Sequence, residues 1–82
     1  MTQEQIITDC IANVLKKTSE EVAAFNEEEL LSEHGMDSIA FIQMIVLLEE
    51  ALEIEILDSD LIIEKFSCKK RILETLEKYY KQ

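Results

Sequence analysis

Apolar residues recur along the chain at helical rather than strand intervals. Ile6, Ile7, Cys10, Ile11, Val14 and Leu15 share one face of a helix at roughly 100° per residue. Thr2 stands three residues before Gln5, a capping-box spacing, and Lys16 and Lys17 suit the negative end of a helix dipole, so the first helix is predicted to close near them. From Ser19 to Met36 the apolar positions are sparse and are interrupted by Glu27, Glu28 and Glu29. That stretch reads as a long connection with one or two short helical turns, pinned to the core by Val22, Phe25 and Leu30. Connections of such length without structure of their own are uncommon and often functional.

A second helix is predicted to begin at Asp37, a favoured N-cap, and to run to about Glu53. Gly35, the only glycine, sits just before it, where a sharp turn or a positive φ is needed. Ile54, Ile56 and Leu57 read as a short extended or irregular segment. Asp58, Ser59 and Asp60 then read as the cap of a brief third helix carrying Leu61, Ile62 and Ile63. Ser67 is the candidate cap of a last helix, with Ile72, Leu73, Leu76, Tyr79 and Tyr80 on one face. The expected fold is all-α, a small four-helix bundle with a long first loop and a short third helix.

Length and composition narrow the picture. The 82 residues leave room for one domain, taken as 1–82, and none for an enzyme with a deep pocket. The absence of proline agrees with a mostly helical chain. A net charge of −10 repels nucleic acid and anionic membrane surfaces and attracts basic protein patches. Cys10 and Cys68 are too few and too far apart for a zinc site or a redox pair, and are expected as reduced thiols at partly buried helix positions. No leader pattern opens the chain, and the apolar run Ile39 to Leu48, broken by Gln43, is too short to span a bilayer. A cytoplasmic monomer without membrane insertion is the expectation.

The second helix carries the candidate chemistry. On a wheel, Ala40, Phe41, Met44, Leu47, Leu48, Ala51 and Leu52 form a broad core side. Ser38, Ile39, Ile42 and Val46 fall on the other side with Gln43, Glu49, Glu50 and Glu53, an apolar patch rimmed by acids of the kind that marks a protein contact. The competing reading buries the helix nearly all round, with the preceding loop over Ile39 and Ile42. Ser38 follows the cap, so its hydroxyl is expected in the open, beside unsatisfied N–H groups and the positive end of the dipole, where a phosphate is welcome.

As a nucleophile Ser38 lacks equipment. A serine hydrolase needs a general base, an orienting group and an oxyanion hole. The one histidine, His34, is expected to be a solvent-facing loop residue. Calcium binding at Asp58-Ser59-Asp60 fails as well, because the loop lacks a central glycine and places Lys69 where a bidentate glutamate belongs.

The string Gly35-Met36-Asp37-Ser38-Ile39, followed by a helix ending Leu48-Glu49-Glu50-Ala51-Leu52-Glu53-Ile54-Glu55-Ile56, closely resembles the attachment region of acyl carrier proteins. The resemblance covers the whole chain, most specifically residues 30 to 57. It implies a non-enzymatic, standalone carrier holding acyl or aminoacyl groups as thioesters on a covalent 4′-phosphopantetheine arm at Ser38. It implies that Asp37 helps a phosphopantetheinyl transferase bind magnesium during loading. It also implies that Ile39, Ile42, Val46, Glu49 and Glu50 meet partner enzymes, namely loading ligases and downstream synthases. Phe41 and Leu48 are candidates to line a space for cargo.

Two positions depart from the fatty-acid branch: residues two and five after the serine, often acidic there, are Ala40 and Gln43 here, and Phe41 adds to an unusually apolar helix. These features look more like discrete carriers of D-alanyl, peptidyl or polyketide pathways. The alternative from another class is a small acidic helical adaptor that binds a partner through Ile39, Ile42 and Val46, with Ser38 only a cap or a phosphorylation site.

Overall fold

The computed structural model describes residues 2–80, the side chain of Tyr80 excepted. Among these residues the chain forms four α-helices: α1 (Gln3–Leu15), α2 (Ser19–Ala23), α3 (Ser38–Leu52) and α4 (Lys69–Tyr80). Three 3-10 turns, Leu31–His34, Asp58–Asp60 and Ile63–Phe66, complete the described elements, and the fold is a small all-helical bundle, as expected. Its radius of gyration, 11.5 Å, matches the roughly 12 Å of a packed chain of this length.

Helix boundaries follow local chemistry. Thr2 Oγ1 accepts the Gln5 N–H at 3.1 Å, and α1 ends with Lys16 in the left-handed region, φ 58°. α2 has a complete capping box: Thr18 Oγ1 accepts the Glu21 N–H, and Glu21 Oε1 accepts the Thr18 N–H. Lys69 reaches across from α4 to donate to the Val22 carbonyl at 2.9 Å, at the far end of that short helix.

The core gathers Ile7 and Ile11 of α1, Met44 and Leu48 of α3, Ile72 and Leu76 of α4, and Phe66 between them, each no more than 2% exposed. The long connection is pinned by Val22 and Leu31, with Phe25 half-buried, and backbone bonds join it to the start of α4: Leu31 N–H to the Ser67 carbonyl at 2.8 Å, and Lys70 N–H to the Glu27 carbonyl at 3.0 Å. Leu30, expected as the pin, is instead 47% exposed. It precedes the 3-10 turn, and the change of direction there sends Leu31 inward.

The segment between α3 and α4 departs most from expectation. Asp58–Asp60 is itself a 3-10 turn rather than a cap, and Leu61, Ile62 and Ile63 point outward instead of burying a third helix. Asp60 is the buried residue: its side chain is 2% exposed, held by Lys65 Nζ and Lys78 Nζ, each at 2.7 Å, and by the Tyr79 hydroxyl. Tyr79 also accepts the Leu57 N–H at 2.9 Å. Two lysines and a phenol satisfy this carboxylate, so the loop is an ion-pair hub rather than a calcium ligand set.

Ser67 does not cap α4; its hydroxyl donates backward to the Glu64 carbonyl at 3.2 Å, and the Cys68 carbonyl opens the helix by accepting from Ile72 N–H. Ile72, Leu73, Leu76 and Tyr79 face inward as expected, whereas Tyr80's expected place on that face lies outside the described side chains. Cys10 and Cys68 are free thiols, more deeply buried than expected, and Cys68 precedes α4 rather than lying in it. Burial, and then the neighbouring Asp9 carboxylate, push the Cys10 thiol above its ordinary pKa, which makes it a poor nucleophile.

Candidate functional site

The site is built on the turn that launches α3. Gly35 closes the preceding 3-10 turn at φ 98°, its N–H shared between the Leu31 and Ser32 carbonyls. A Cβ at this position meets no atom within 4 Å, so glycine is required by the backbone conformation and not by space. The reversal leaves Met36 half-buried and Asp37 exposed. Asp37 Oδ1 then accepts the Ala40 N–H at 2.8 Å, the cap that the sequence predicts.

Ser38 is the first residue of α3 and is exposed. First-turn N–H groups have no acceptor within their own helix and carry the positive end of the dipole, so the hydroxyl stands where an attached phosphate is favoured. Beside it opens a crevice of about 220 Å³, walled by Met36, Phe41, Ile63 and Phe66. Phe41 and Phe66 meet edge to face, with centroids 5.8 Å apart. Leu48, expected to share such a space with Phe41, is fully buried in the core and does not reach the crevice.

On the outer face of α3, Ile39, Ile42 and Val46 are 68%, 61% and 47% exposed, so the preceding loop does not cover them. The wheel errs at two positions of this helix: Ala51 is exposed, and Ile45, not assigned to the core side, is buried. The two late acids separate. Glu50 is exposed and lines a depression against α1, whereas Glu49 is half-buried and its Oε2 accepts the Ile56 N–H at 2.9 Å, bracing the chain as it leaves the helix.

His34 is not solvent-facing. Its ring stacks on Phe25, centroids 3.8 Å apart, and its Nε2 pairs with Glu29 Oε2. The Asn26 N–H, and then His34, hold the Glu29 carboxyl below the usual carboxylate range. The ring therefore braces the loop ahead of α3, and among the described residues no hydrogen bond joins it to Ser38, so a Ser–His dyad is absent. Neither is there, among those residues, a cluster of His, Cys, Asp or Glu able to hold a metal ion, nor a helix long and apolar enough to cross a membrane.

Sequence reasoning missed Met36, Ile63 and Phe66 as neighbours of the serine. The spacing of Ile63 and Phe66, three residues apart, is the available signal, but only the fold shows that the pair closes over the start of α3.

No curated protein and no solved structure matches the chain. The family described as the phosphopantetheine attachment site matches residues 5–68, from α1 through the last 3-10 turn to the threshold of α4. With most of its length matched, an all-helical bundle around it and an exposed serine at the start of α3, this chain belongs to the acyl carrier protein family and carries the attachment site of a covalent 4′-phosphopantetheine.

Proposed function

We propose that residues 1–82 form a single, non-enzymatic carrier domain, with Ser38 as the attachment point and acyl or aminoacyl thioesters as cargo. The observation that carries this reading is the exposed Ser38 hydroxyl on the first turn of α3, one residue after the Asp37 cap. When attached, the arm supplies a terminal thiol that holds cargo as a thioester. The residues around Ser38 suit such a group: helix N-terminal N–H groups favour its phosphate, and the apolar crevice beside the serine offers Met36, Phe41 and Ile63 to its carbon chain.

Asp37 spends one carboxylate oxygen on the cap and is exposed, which leaves its other oxygen for magnesium during transferase loading. Ile39, Ile42 and Val46 form the docking face for a loading ligase and downstream synthases. Glu50 supplies charge to basic patches there, and Glu49 does so with only the part of its carboxylate that the Ile56 bond leaves open. Docking of this electrostatic kind is weak and exchanges fast, as a carrier visiting several enzymes requires. Ala40 and Gln43 in place of acids favour a specialised pathway of D-alanyl, peptidyl or polyketide type, acting in the cytoplasm.

The test is peptide mapping by mass spectrometry after incubation with coenzyme A, magnesium and a broad-specificity transferase. Phosphopantetheine is expected on the peptide containing Ser38. Modification at Ser19, Ser32, Ser59 or Ser67 instead overturns the site assignment.

A further inference from the structure

The apolar surface of α3 continues past Val46 onto α1. One depression, about 410 Å³, lies between Ile6, Cys10 and Asn13 of α1 and Leu47 and Ala51 of α3. A second, about 400 Å³, lies between Asn13 and Val14 of α1 and Ile42, Val46 and Leu47 of α3. Asn13 and Leu47 line both, so the two form one furrow along the seam of the helices. From Ile6 to Val14 the furrow follows about 12 Å of α1 at 1.5 Å per residue, the length of two turns of a third helix laid beside it.

Charge narrows the occupant. The charged residues of the furrow are Asp9 on the α1 wall and Glu50 on the α3 wall, and no basic residue lines either half. Asp9 is steadied by the Ser19 hydroxyl, which donates to it at 2.6 Å. Lys16 and Lys17 follow the end of α1 and line neither depression. A second copy of this chain, also at −10, is repelled, and so is an anionic lipid surface. A helix with one apolar face flanked by Lys or Arg satisfies both floor and walls, its leucines over Leu47 and Ala51 and its cations against Asp9 and Glu50.

We infer that the α1–α3 furrow docks a basic amphipathic helix of a partner protein. The inference rests on the carrier reading in that α3 also holds Ser38, so a helix docked there sits roughly 6 to 20 Å along α3 from the serine, judged by the rise from Ile42 to Ala51. It brings Ile6, Asp9 and Asn13 of α1 into partner recognition, a role beyond the outer face of α3.

The test titrates the isotope-labelled chain with a synthetic helical peptide of about 20 residues, above the length at which isolated helices are marginal in water, with leucines on one face and flanking lysines. Amide shifts are expected to concentrate on residues 6–14 and 42–51. Ala51→Arg, which places bulk and a cation at an exposed helical position within the furrow, is expected to weaken binding at least tenfold. Glu64→Gln, an acid removed elsewhere, is expected to change it less than twofold. Shifts spread over the whole acidic surface, with Ala51→Arg and Glu64→Gln equivalent, overturn the proposal, as does peptide-free dimerisation through the furrow. Intact mass after transferase loading is read on the same protein. Loading without furrow binding sinks this inference and leaves the carrier reading standing, whereas furrow binding without loading does the reverse.

Discussion

Asp37 Oδ1 accepts the backbone N–H of Ala40 at 2.8 Å, so the helix that presents Ser38 is capped by the residue immediately before it. Asp37→Ala is expected to cost about 1 kcal/mol through loss of the cap, read as a lower urea midpoint at unchanged slope. Asp37→Asn keeps a capping oxygen and is expected to stay within a few tenths of a kcal/mol of the parent. If Asp37 also serves magnesium during loading, the asparagine variant loads markedly more slowly despite its intact stability. Equal loading rates would confine Asp37 to the cap.

A second prediction concerns the hub at Asp60. Lys65, then Lys78, then the Tyr79 hydroxyl hold the Asp60 carboxyl well below the usual carboxylate range. Burial, and then Asp60 itself, push the Tyr79 phenol above its ordinary value, which keeps it a donor at neutral pH. Glu29 is likewise held low, by the Asn26 N–H first and by His34 next. In the unfolded chain these carboxyls titrate at about pH 4. Because their folded values lie lower, the stability they contribute is fully present above about pH 5 and is lost as the pH falls through the ordinary range toward the depressed folded values. The urea midpoint should therefore fall steeply below pH 5, and Asp60→Asn should be less stable at pH 7 with a shallower acid slope. Tyr79→Phe removes two hydrogen bonds and is expected to cost about 1–2 kcal/mol. An acid slope unchanged in Asp60→Asn would remove the hub from the explanation.

The contrast between Asp37 and Asp60 shows what the sequence made legible. The Thr2 and Asp37 caps, the glycine turn and the exposed stripe Ile39, Ile42 and Val46 rest on residues each within four positions of the next, and each was readable from local spacing. Asp60 looks equally like a cap, but its partners Lys78 and Tyr79 come to it from α4, 18 and 19 residues on, and only packing joins them. The same holds for His34, drawn out of solvent by Phe25 and Glu29; Ser67 fails differently, because its hydroxyl turns back to a carbonyl only three residues away, at Glu64, instead of forward to the helix. Leu30 and Leu31 are neighbours of identical chemistry, and a wheel has no means to choose between them when the turn is 3-10. The crevice beside Ser38 was half readable: Phe41 belongs to the same helix as the serine, whereas Ile63 and Phe66 arrive from a segment expected to bury its branched residues in the core.

Gly35 offers a clean measure of backbone strain. With open space around its Cβ position, Gly35→Ala meets no clash, and its cost is that of holding φ near 98° with a side chain, about 1–2 kcal/mol. Equilibrium unfolding checks this value. Stabilisation by the substitution would mean that the turn relaxes to a negative φ.

Surface and core positions of α3 should separate by readout. Ile39→Ser, Ile42→Ser and Val46→Ser remove exposed side chains and are expected to change stability by no more than about 0.5 kcal/mol, while slowing transfer of cargo to partner enzymes. Met44→Ala, at a fully buried position of the same helix, is expected to cost about 2–5 kcal/mol. Transfer rates that follow stability across the set, rather than exposure, would argue against a docking face.

The central claim is that Ser38 holds the arm, and intact-protein mass spectrometry of the wild type and Ser38→Ala, each incubated with coenzyme A, magnesium and a phosphopantetheinyl transferase, tests it most directly. The account predicts a gain of one phosphopantetheine by the wild type and none by the folded Ser38→Ala variant. A folded wild type left unmodified by several transferases, or equal modification of both proteins, would contradict it and turn attention to Ile39, Ile42 and Val46 as the binding face of an adaptor.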